Sequence, residues 1–150
     1  MSVVPVIPEA DEIPTSHPLP PRRVLIAEDN ADLRMIFAKV FERTEFKVQV
    51  ALDGHEAMQA LMAGLPDVLI LDINMPNVSG LDVLTYVRRT EGDRHVNIIV
   101  VTGNAQMEQS PVVELADLFL LKPVDVFTLV IFAQRLVGNS NWIARIETES

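Results

Sequence analysis

The sequence predicts an α/β fold, a doubly wound parallel sheet of five strands with helices on both of its faces. Two observations predict it: continuous apolar runs of strand length, and helical spacing of apolar residues in the segments between them. Four of these runs carry no polar residue, as in strands that are buried on both faces. They are Val24–Ala27, Val68–Leu71, Ile98–Val101 and Leu118–Leu121. Strands that alternate with helices in this way favour a parallel sheet covered by its crossover helices.

The remaining elements follow from weaker patterns. Lys47–Ala51 alternates polar and apolar residues, which is typical of a strand near the edge of a sheet. Helical spacing predicts four helices, and Asn30 is available to cap the first of them. They span Ala31–Arg43, Gly54–Met62, Gly80–Arg89 and Val124–Val137, with Gly138 closing the last. Pro111 interrupts Gln106–Ala116, so the pattern leaves open whether a further helix forms there.

Composition divides the 150-residue chain into three parts. Residues 1–22 contain six of the ten prolines, which predicts a flexible, proline-rich leader. Residues 23–138 hold every predicted strand and helix and make one domain of ordinary size. Residues 139–150 remain as a short C-terminal tail.

Charge and composition exclude several classes of function. The net charge of −9 argues against binding to duplex DNA or to an anionic membrane, because both need a basic surface. The chain has no cysteine, which excludes a thiol nucleophile, a disulfide and a zinc site built on thiolates. No apolar run approaches the roughly 20 residues that span a bilayer, and the acidic, proline-broken N-terminus is unlike a signal peptide. We therefore expect a cytoplasmic protein with no nucleic-acid or membrane partner.

Polar residues follow the buried runs at the point where each run ends. Glu28 and Asp29 follow the first run, Asp72 the second, Thr102 the third and Lys122 the fourth. Because the carboxyl ends of parallel strands meet at one edge of a sheet, these side chains are expected to converge. One polar residue there would indicate only that a strand ends, but four strands ending this way predict a site.

The chemistry of this cluster indicates phosphoryl transfer. Three carboxylates close together repel one another unless a cation lies among them, and Mg²⁺ prefers such hard oxygen ligands. Lys122 adds a compact positive charge for a carboxylate or a phosphoryl oxygen. A carboxylate beside Mg²⁺ and an ammonium group can attack a phosphoryl group and form an acyl phosphate. Asp72 is the best candidate for this nucleophile, because it alone ends the central strand and begins the loop to Gly80.

In five segments, the chain resembles the receiver domain of two-component response regulators. These segments occur in the order and rough spacing of that family and extend over residues 23–138. They are VLIAEDN (24–30), DGHEA (53–57), DVLILDINMPNVSG (67–80), VTG (101–103) and LKP (121–123). The resemblance implies a flavodoxin-like sheet with strand order 2-1-3-4-5. It also implies that the chain is a phosphoprotein of a two-component system or phosphorelay, with a role in signal transduction.

By this resemblance, Asp72 is the phosphoacceptor and the acidic residues hold Mg²⁺. Asp29 and Asp72 are its carboxylate ligands, Glu28 holds a metal-bound water, and Asn74 offers its backbone carbonyl. The family often has aspartate at the position of Glu28. Lys122 pairs with the phosphoryl group, and the bond from Lys122 to the following proline is expected to be cis.

The resemblance also implies a conformational switch. After phosphorylation Thr102 moves its hydroxyl to a phosphoryl oxygen, and Phe119 is the aromatic residue that turns inward when Thr102 moves. The sequence alone leaves open that Phe119 is simply part of the strand core, since aromatic residues are enriched in strands. The side chains of Asn74 and Asn104 lie where family members tune the hydrolysis of the phosphoryl group.

The last predicted helix is unusually apolar. Once one apolar side is assigned to the sheet, Phe127, Ile131 and Phe132 remain on the side that family members usually make polar. We expect them to form a contact surface for a downstream protein or for a second copy of the chain in a homodimer. Equally, Trp142 and Ile143 could fold back over them.

The leading hypothesis is a stand-alone response regulator rather than an enzyme. A histidine kinase or phosphotransfer protein passes its phosphoryl group to Asp72, and the altered surface then engages a protein partner. A haloacid-dehalogenase-like phosphatase fits less well, because its nucleophile lies on the first strand and is followed two residues later by an acid, where this chain has Asn74. The other alternative is a receiver-like interaction module that does not respond to phosphorylation, and the complete acidic set with Thr102 and Lys122 weighs against it.

Overall fold

Five parallel strands form a single sheet at the centre of the described chain. They are β1 (Arg22–Ala27), β2 (Phe46–Ala51), β3 (Val68–Leu71), β4 (Asn97–Thr102) and β5 (Leu118–Leu121). Their order across the sheet is β2-β1-β3-β4-β5, which confirms the predicted doubly wound fold. The computed structural model describes residues 22–149, without the side chains of residues 112 and 139–149. The predicted leader therefore lies outside the described residues, except for Arg22.

Helices on both faces connect the strands. The elements are α1 (Ala31–Phe41), α2 (Gly54–Ala63), α3 (Gly80–Thr90), a 3₁₀ helix (Ala105–Gln109), α4 (Val112–Leu115) and α5 (Val126–Glu149). The first three begin at side-chain caps, where Asn30, Asp53 and Ser79 each accept a hydrogen bond from a backbone N–H of the first turn. In the part of the chain that the structure describes, no helix has the length and apolar character needed to cross a membrane.

Alternate residues of the central strands point to two separate hydrophobic layers. Leu25, Leu69 and Ile98 belong to the layer packed under α2 and α3, whereas Ile26 and Ile70 belong to the layer under α1 and α5. Every residue of β3 is buried, as expected for the middle strand of a sheet covered on both faces. These two layers fix the carboxyl ends of β1, β3, β4 and β5 at one edge of the sheet.

β5 is less buried than its apolar sequence predicts. Its first three residues are half-buried and Leu121 is exposed. The reason is its position, because β5 is an edge strand that pairs only with β4. The segment before it is also short of helix, since Gln106–Ala116, where the sequence left a further helix open, contains a 3₁₀ helix and the four-residue α4. Pro111, which has no N–H to donate, stands directly before α4 and accounts for the break.

α5 is longer than the sequence indicates. We predict that it ends before Gly138, and this boundary is wrong, because the helix continues to Glu149. Gly138 does not adopt the left-handed conformation that ends many helices, since no described glycine has a positive φ. A glycine with ordinary helical geometry costs only about 1 kcal/mol relative to alanine, and no proline follows it to stop the helix.

The loop that follows β3 is fixed against the start of α2. The Asn77 side chain donates a hydrogen bond to Asp53 Oδ2 at 2.7 Å, and the Gly54 N–H donates one to the Pro76 carbonyl at 3.2 Å. Asn77 has a φ of 79°, a left-handed conformation that asparagine tolerates better than most residues. Gly54 is required at its position, because a Cβ there would overlap the carbonyl oxygen and the Cβ of Val78.

We predict that Gly54→Ala lowers the free energy of unfolding by about 2 kcal/mol, the usual cost of forcing a methyl group into a packed contact. Chemical denaturation measures the change. Gly92→Ala is the matched control, because a Cβ at Gly92 meets nothing within 4 Å, and it is expected to be nearly neutral. Equal stabilities of the two variants would show that the loop after β3 is not held tightly against α2.

Candidate functional site

Three carboxylates converge where β1 and β3 end. Glu28 and Asp29 follow β1 directly, and Asp72 follows β3. One oxygen of each lies within 4.8 Å of one oxygen of the other two. Glu28 and Asp72 are only 2% and 6% exposed, whereas Asp29 is exposed and faces the solvent. The predicted convergence of these residues is therefore confirmed, and their oxygen ligands have the chemistry that suits a hard divalent cation such as Mg²⁺.

Lys122 supplies the positive charge of the cluster. It follows the edge strand β5, and its ammonium group lies 3.0 Å from Glu28 Oε1 and 3.2 Å from Asp72 Oδ2. Burial by itself lowers the pKa of this ammonium, but its hydrogen bond to Glu28 and the charges of Asp72 and Glu28 outweigh that effect and raise it. Lys122 is therefore held in its charged form. The bond between Lys122 and Pro123 is cis, as the resemblance implied.

Glu28 is the carboxylate on which the protein environment acts most strongly. Its burial raises its pKa above the ordinary value of 4.5, and the neighbouring charge of Asp72 adds to that rise. The hydrogen bonds from Lys122 and from the Asn30 backbone N–H, the latter at 3.1 Å, oppose the rise without cancelling it. A second cation near the cluster would relieve the same repulsion.

The Arg34 side chain supports the acidic loop from α1. Its Nη1 donates to the backbone carbonyl of Glu28 at 2.9 Å and lies 3.4 Å from that of Asp29. Arg34 was not among the predicted site residues, because its position in a helix gives no sign that it reaches the end of a strand. The only available signal was its place one turn after the Asn30 cap.

Asn74 and Thr102 connect the loop after β3 to the end of β4. The Asn74 backbone N–H donates to Asp72 Oδ1 at 3.0 Å, and its side-chain amide donates to Thr102 Oγ1 at 3.0 Å. The same Thr102 oxygen accepts a hydrogen bond from the Asn104 N–H at 3.2 Å. Thr102 is completely buried, although Asn74 is exposed. The predicted site residues on β3 and β4 therefore lie in one hydrogen-bonded group.

The candidate switch and contact residues lie outside this group. Phe119 is half-buried and packs against the hydrophobic layer under α3, so its side chain is partly accessible in this conformation. On α5, Phe127 is 63% exposed and Ile131 is 44% exposed. Phe132, which we grouped with them, instead packs half-buried against the layer under α1 and α5. Among the side chains of α5 that the structure describes, the large exposed apolar ones are therefore Phe127 and Ile131.

Comparison with known proteins identifies the family. The profile of the response regulator receiver domain matches residues 24–133. The chain belongs to this family. As a receiver domain, it is a signalling regulator of the two-component type, and the sheet order and acidic cluster described above are those expected for such a domain.

Relatives of this receiver domain occur in different protein contexts. The transcriptional regulatory protein PrrA of Mycobacterium tuberculosis is 28% identical over 128 residues, covering 85% of this chain and 55% of PrrA. The CAI-1 autoinducer sensor kinase/phosphatase CqsS of Vibrio cholerae is 31% identical over 107 residues, covering 69% of this chain and 16% of CqsS. The chain thus spans about half the length of PrrA and a smaller part of CqsS.

Solved structures agree with the fold. The response regulator TrrA of Thermotoga maritima, solved in complex with Mg²⁺-BeF, has a TM-score of 0.69 and 26% identity, covering 77% of this chain and 98% of TrrA. The receiver domain of Francisella response regulator 1452 has a TM-score of 0.70 and 24% identity, covering 81% of this chain and 99% of that domain. The second likeness concerns the fold alone.

We predict that Lys122→Met lowers the free energy of unfolding by about 3 kcal/mol near neutral pH, because two buried carboxylates then face each other without a counterion. The loss of Lys122 raises the pKa of Glu28 further. A raised carboxyl pKa means that the native state binds a proton more tightly than the unfolded state. The difference in unfolding free energy between wild type and Lys122→Met is therefore expected to shrink as the pH falls towards 4.5.

Urea denaturation in metal-free buffer at about pH 7.5 and about pH 5 measures this change. The control is the double variant Lys122→Met/Glu28→Gln, which removes one of the two unpaired charges and is expected to regain much of the lost stability. A deficit that is independent of pH would mean that Lys122 contributes by packing rather than by charge.

Proposed function

We propose that this receiver domain is a cytoplasmic response regulator that accepts a phosphoryl group on Asp72 from a histidine kinase or phosphotransfer protein. The convergence of Asp72 with Glu28, Asp29 and Lys122 is the observation that carries the proposal. A carboxylate beside a fixed ammonium group, open to solvent on the side of Asp29, has the geometry of a phosphoryl acceptor. Phosphorylation then changes a surface that a downstream protein recognises.

The proposed transfer needs little from the protein besides position and charge. One carboxylate oxygen of Asp72 attacks phosphorus and forms a P–O bond, while the P–N bond of the phosphohistidine donor breaks. The imidazole of the donor leaves with the bonding electron pair, and the product on this chain is an acyl phosphate. Lys122, already 3.2 Å from Asp72 Oδ2, stabilises the negative charge of the transferred group.

The same carboxylates are suited to hold Mg²⁺. Asp29 and Asp72 would be direct ligands, with the backbone carbonyl of Asn74 as a third, and Glu28 would hold a metal-bound water. When bound, Mg²⁺ supplies positive charge that offsets the repulsion between the phosphoryl group and the carboxylates. The chemistry of the donor set supports this assignment, because three carboxylates converge and, among the described residues, Lys122 pairs with two of them, Glu28 and Asp72.

The switch proposed for the phosphorylated state passes through Thr102 and Phe119. Thr102 ends β4 on the strand next to β3, and its hydroxyl is linked to Asp72 through the two hydrogen bonds of Asn74. Phe119 is only half-buried, so its side chain is not fixed in the core before the proposed turn inward. Asn74 and Asn104, which both hydrogen-bond to the Thr102 hydroxyl, are placed to influence how long the phosphoryl group survives.

The exposed residues Phe127 and Ile131 are the proposed contact surface. They lie one helical turn apart on α5 and are both large and apolar, which favours a protein partner, including a second copy of this chain. The alternative in which Trp142 and Ile143 cover them concerns side chains outside the described part. However, the backbone at those positions continues α5 rather than turning back.

We predict that the chain incorporates one phosphoryl group from acetyl phosphate when Mg²⁺ is present, and that Asp72→Asn abolishes incorporation because an amide is not a nucleophile of this kind. Intact mass measures the product, and chelation of Mg²⁺ is expected to prevent it. Asp93→Asn is the control, because Asp93 is an exposed carboxylate outside the cluster. An inert wild type would favour the interaction module that does not respond to phosphorylation.

We predict that Ile131→Glu abolishes association of the phosphorylated form with itself, because it places a charge in an apolar contact. The solution mass of wild type and variant, measured by light scattering with Mg²⁺ and beryllofluoride, tests this. Met62→Glu is the control, since Met62 is 66% exposed on α2 and lies on another face. If both wild type and Ile131→Glu are monomers, self-association is excluded.

A further inference from the structure

We infer that the side chain of Asn74 holds the Thr102 hydroxyl in its resting position and thereby sets how readily the switch occurs. This inference rests on the function proposed above and names a positioning residue within it. It is supported by two hydrogen bonds that Asn74 donates. Asn74 contacts the phosphoacceptor Asp72 through its backbone N–H and the switch residue Thr102 through its side-chain amide, both at 3.0 Å.

The Thr102 hydroxyl cannot move without losing these bonds. Thr102 is 0% exposed, and its oxygen accepts from the Asn74 amide and from the Asn104 N–H. A buried hydroxyl is stable only while hydrogen-bonded, so these two donors define one well-satisfied position. If the hydroxyl moves to a phosphoryl group on Asp72, it loses these two donors and donates its own proton to a phosphoryl oxygen.

The two donors differ in the free energy that is lost when the Thr102 hydroxyl leaves them. Asn74 is exposed, so its amide can hydrogen-bond to water once Thr102 has left. The net effect of this bond is therefore modest, as for a typical hydrogen bond that is exchanged with water. A modest restraint suits a switch, because it keeps the resting position preferred without preventing the movement.

The release of Asn104 carries the change towards the surface. Its N–H donates to Thr102, while its side-chain oxygen accepts from the Gln106 N–H at 3.0 Å and caps the 3₁₀ helix Ala105–Gln109. When Thr102 moves, Asn104 loses its bond to β4 and keeps only its two bonds to the 3₁₀ helix, from the Gln106 N–H and, through its backbone carbonyl, from the Met107 N–H. Met107 of this 3₁₀ helix, Leu115 of α4 and the half-buried Phe119 of β5 pack against the same hydrophobic layer.

The test uses Asn74→Ala, which removes the amide donor but leaves the backbone bond to Asp72. Beryllofluoride is the probe, titrated calorimetrically into protein saturated with Mg²⁺. Because the resting position is no longer favoured by this bond, we expect beryllofluoride to bind about fivefold more tightly. Mg²⁺ affinity is measured separately for each variant, so that beryllofluoride binding is compared at equal saturation with Mg²⁺. Asn74→Leu, similar in size to asparagine but without a donor, should behave in the same way as Asn74→Ala.

A double-mutant cycle shows whether Asn74 acts through Thr102. Thr102→Val has no hydroxyl to hold, so adding Asn74→Ala to it is expected to leave beryllofluoride affinity unchanged. In the Thr102→Ser background the hydroxyl is restored, and the roughly fivefold effect of Asn74→Ala is expected to return. The Asn104 amide signal in NMR spectra provides an independent readout, since its shift should follow beryllofluoride binding.

Each outcome has a distinct meaning. If wild type binds beryllofluoride but Asn74→Ala does not bind it more tightly, or tightens equally in the Thr102→Val background, the restraint is overturned and the proposed function stands. If wild type does not bind beryllofluoride with Mg²⁺, the proposed function fails and the inference fails with it. Thermal unfolding of each variant confirms that the compared proteins are folded.

Discussion

The charge of Lys122 is the constraint on which the rest of the site depends. Glu28 and Asp72 are almost completely buried on neighbouring strands, and two buried carboxylates this close need a counterion. The ammonium reaches both of them from β5, two strands away from β3, by extending past the end of β4. The Lys122 N–H donates to the Thr102 carbonyl at 2.8 Å, so the backbone ladder fixes where that ammonium begins.

At the opposite end of the sheet, charged side chains are paired with partners of opposite charge. Arg88 of α3 donates to the carbonyls of Leu115 and Val96 and to the carboxylate of Asp117, at 2.9 Å in each case. Asp117 in turn accepts from the Ile98 N–H at 2.7 Å. α3, the end of α4 and the start of β4 are therefore tied together there. We therefore expect the movement proposed for phosphorylation to be smaller at this end than at the carboxyl end of the sheet.

The sequence predicted the parts of the fold that depend on burial from two sides. Continuous apolar runs located β1, β3 and β4, because a strand between two helical layers has no polar face. The same pattern overestimated the burial of β5, since exposure at an edge depends on how much chain covers it, and α4 is a single turn. The end of α5 was missed because a glycine stops a helix only when it adopts a left-handed φ, which Gly138 does not. The acidic cluster could be predicted because its residues directly follow apolar runs. The contacts of Arg34 and of the Asn74 amide could not, because they join different elements and produce no repeating pattern in the sequence.

The negative charge of the carboxylate cluster exceeds the positive charge of Lys122, and this excess bears on the proposed switch. Lys122 pairs with both Glu28 and Asp72, and Asp29 adds a third carboxylate to the cluster. In the proposed function, a phosphoryl group on Asp72 would add further negative charge and would compete with Glu28 for Lys122. If Lys122 moved towards the phosphoryl oxygens, Glu28 would lose a bond that lowers its pKa and would depend more on a bound cation or a proton. The proposed metal and phosphoryl group would therefore be thermodynamically coupled through Glu28, and each is expected to bind more tightly in the presence of the other.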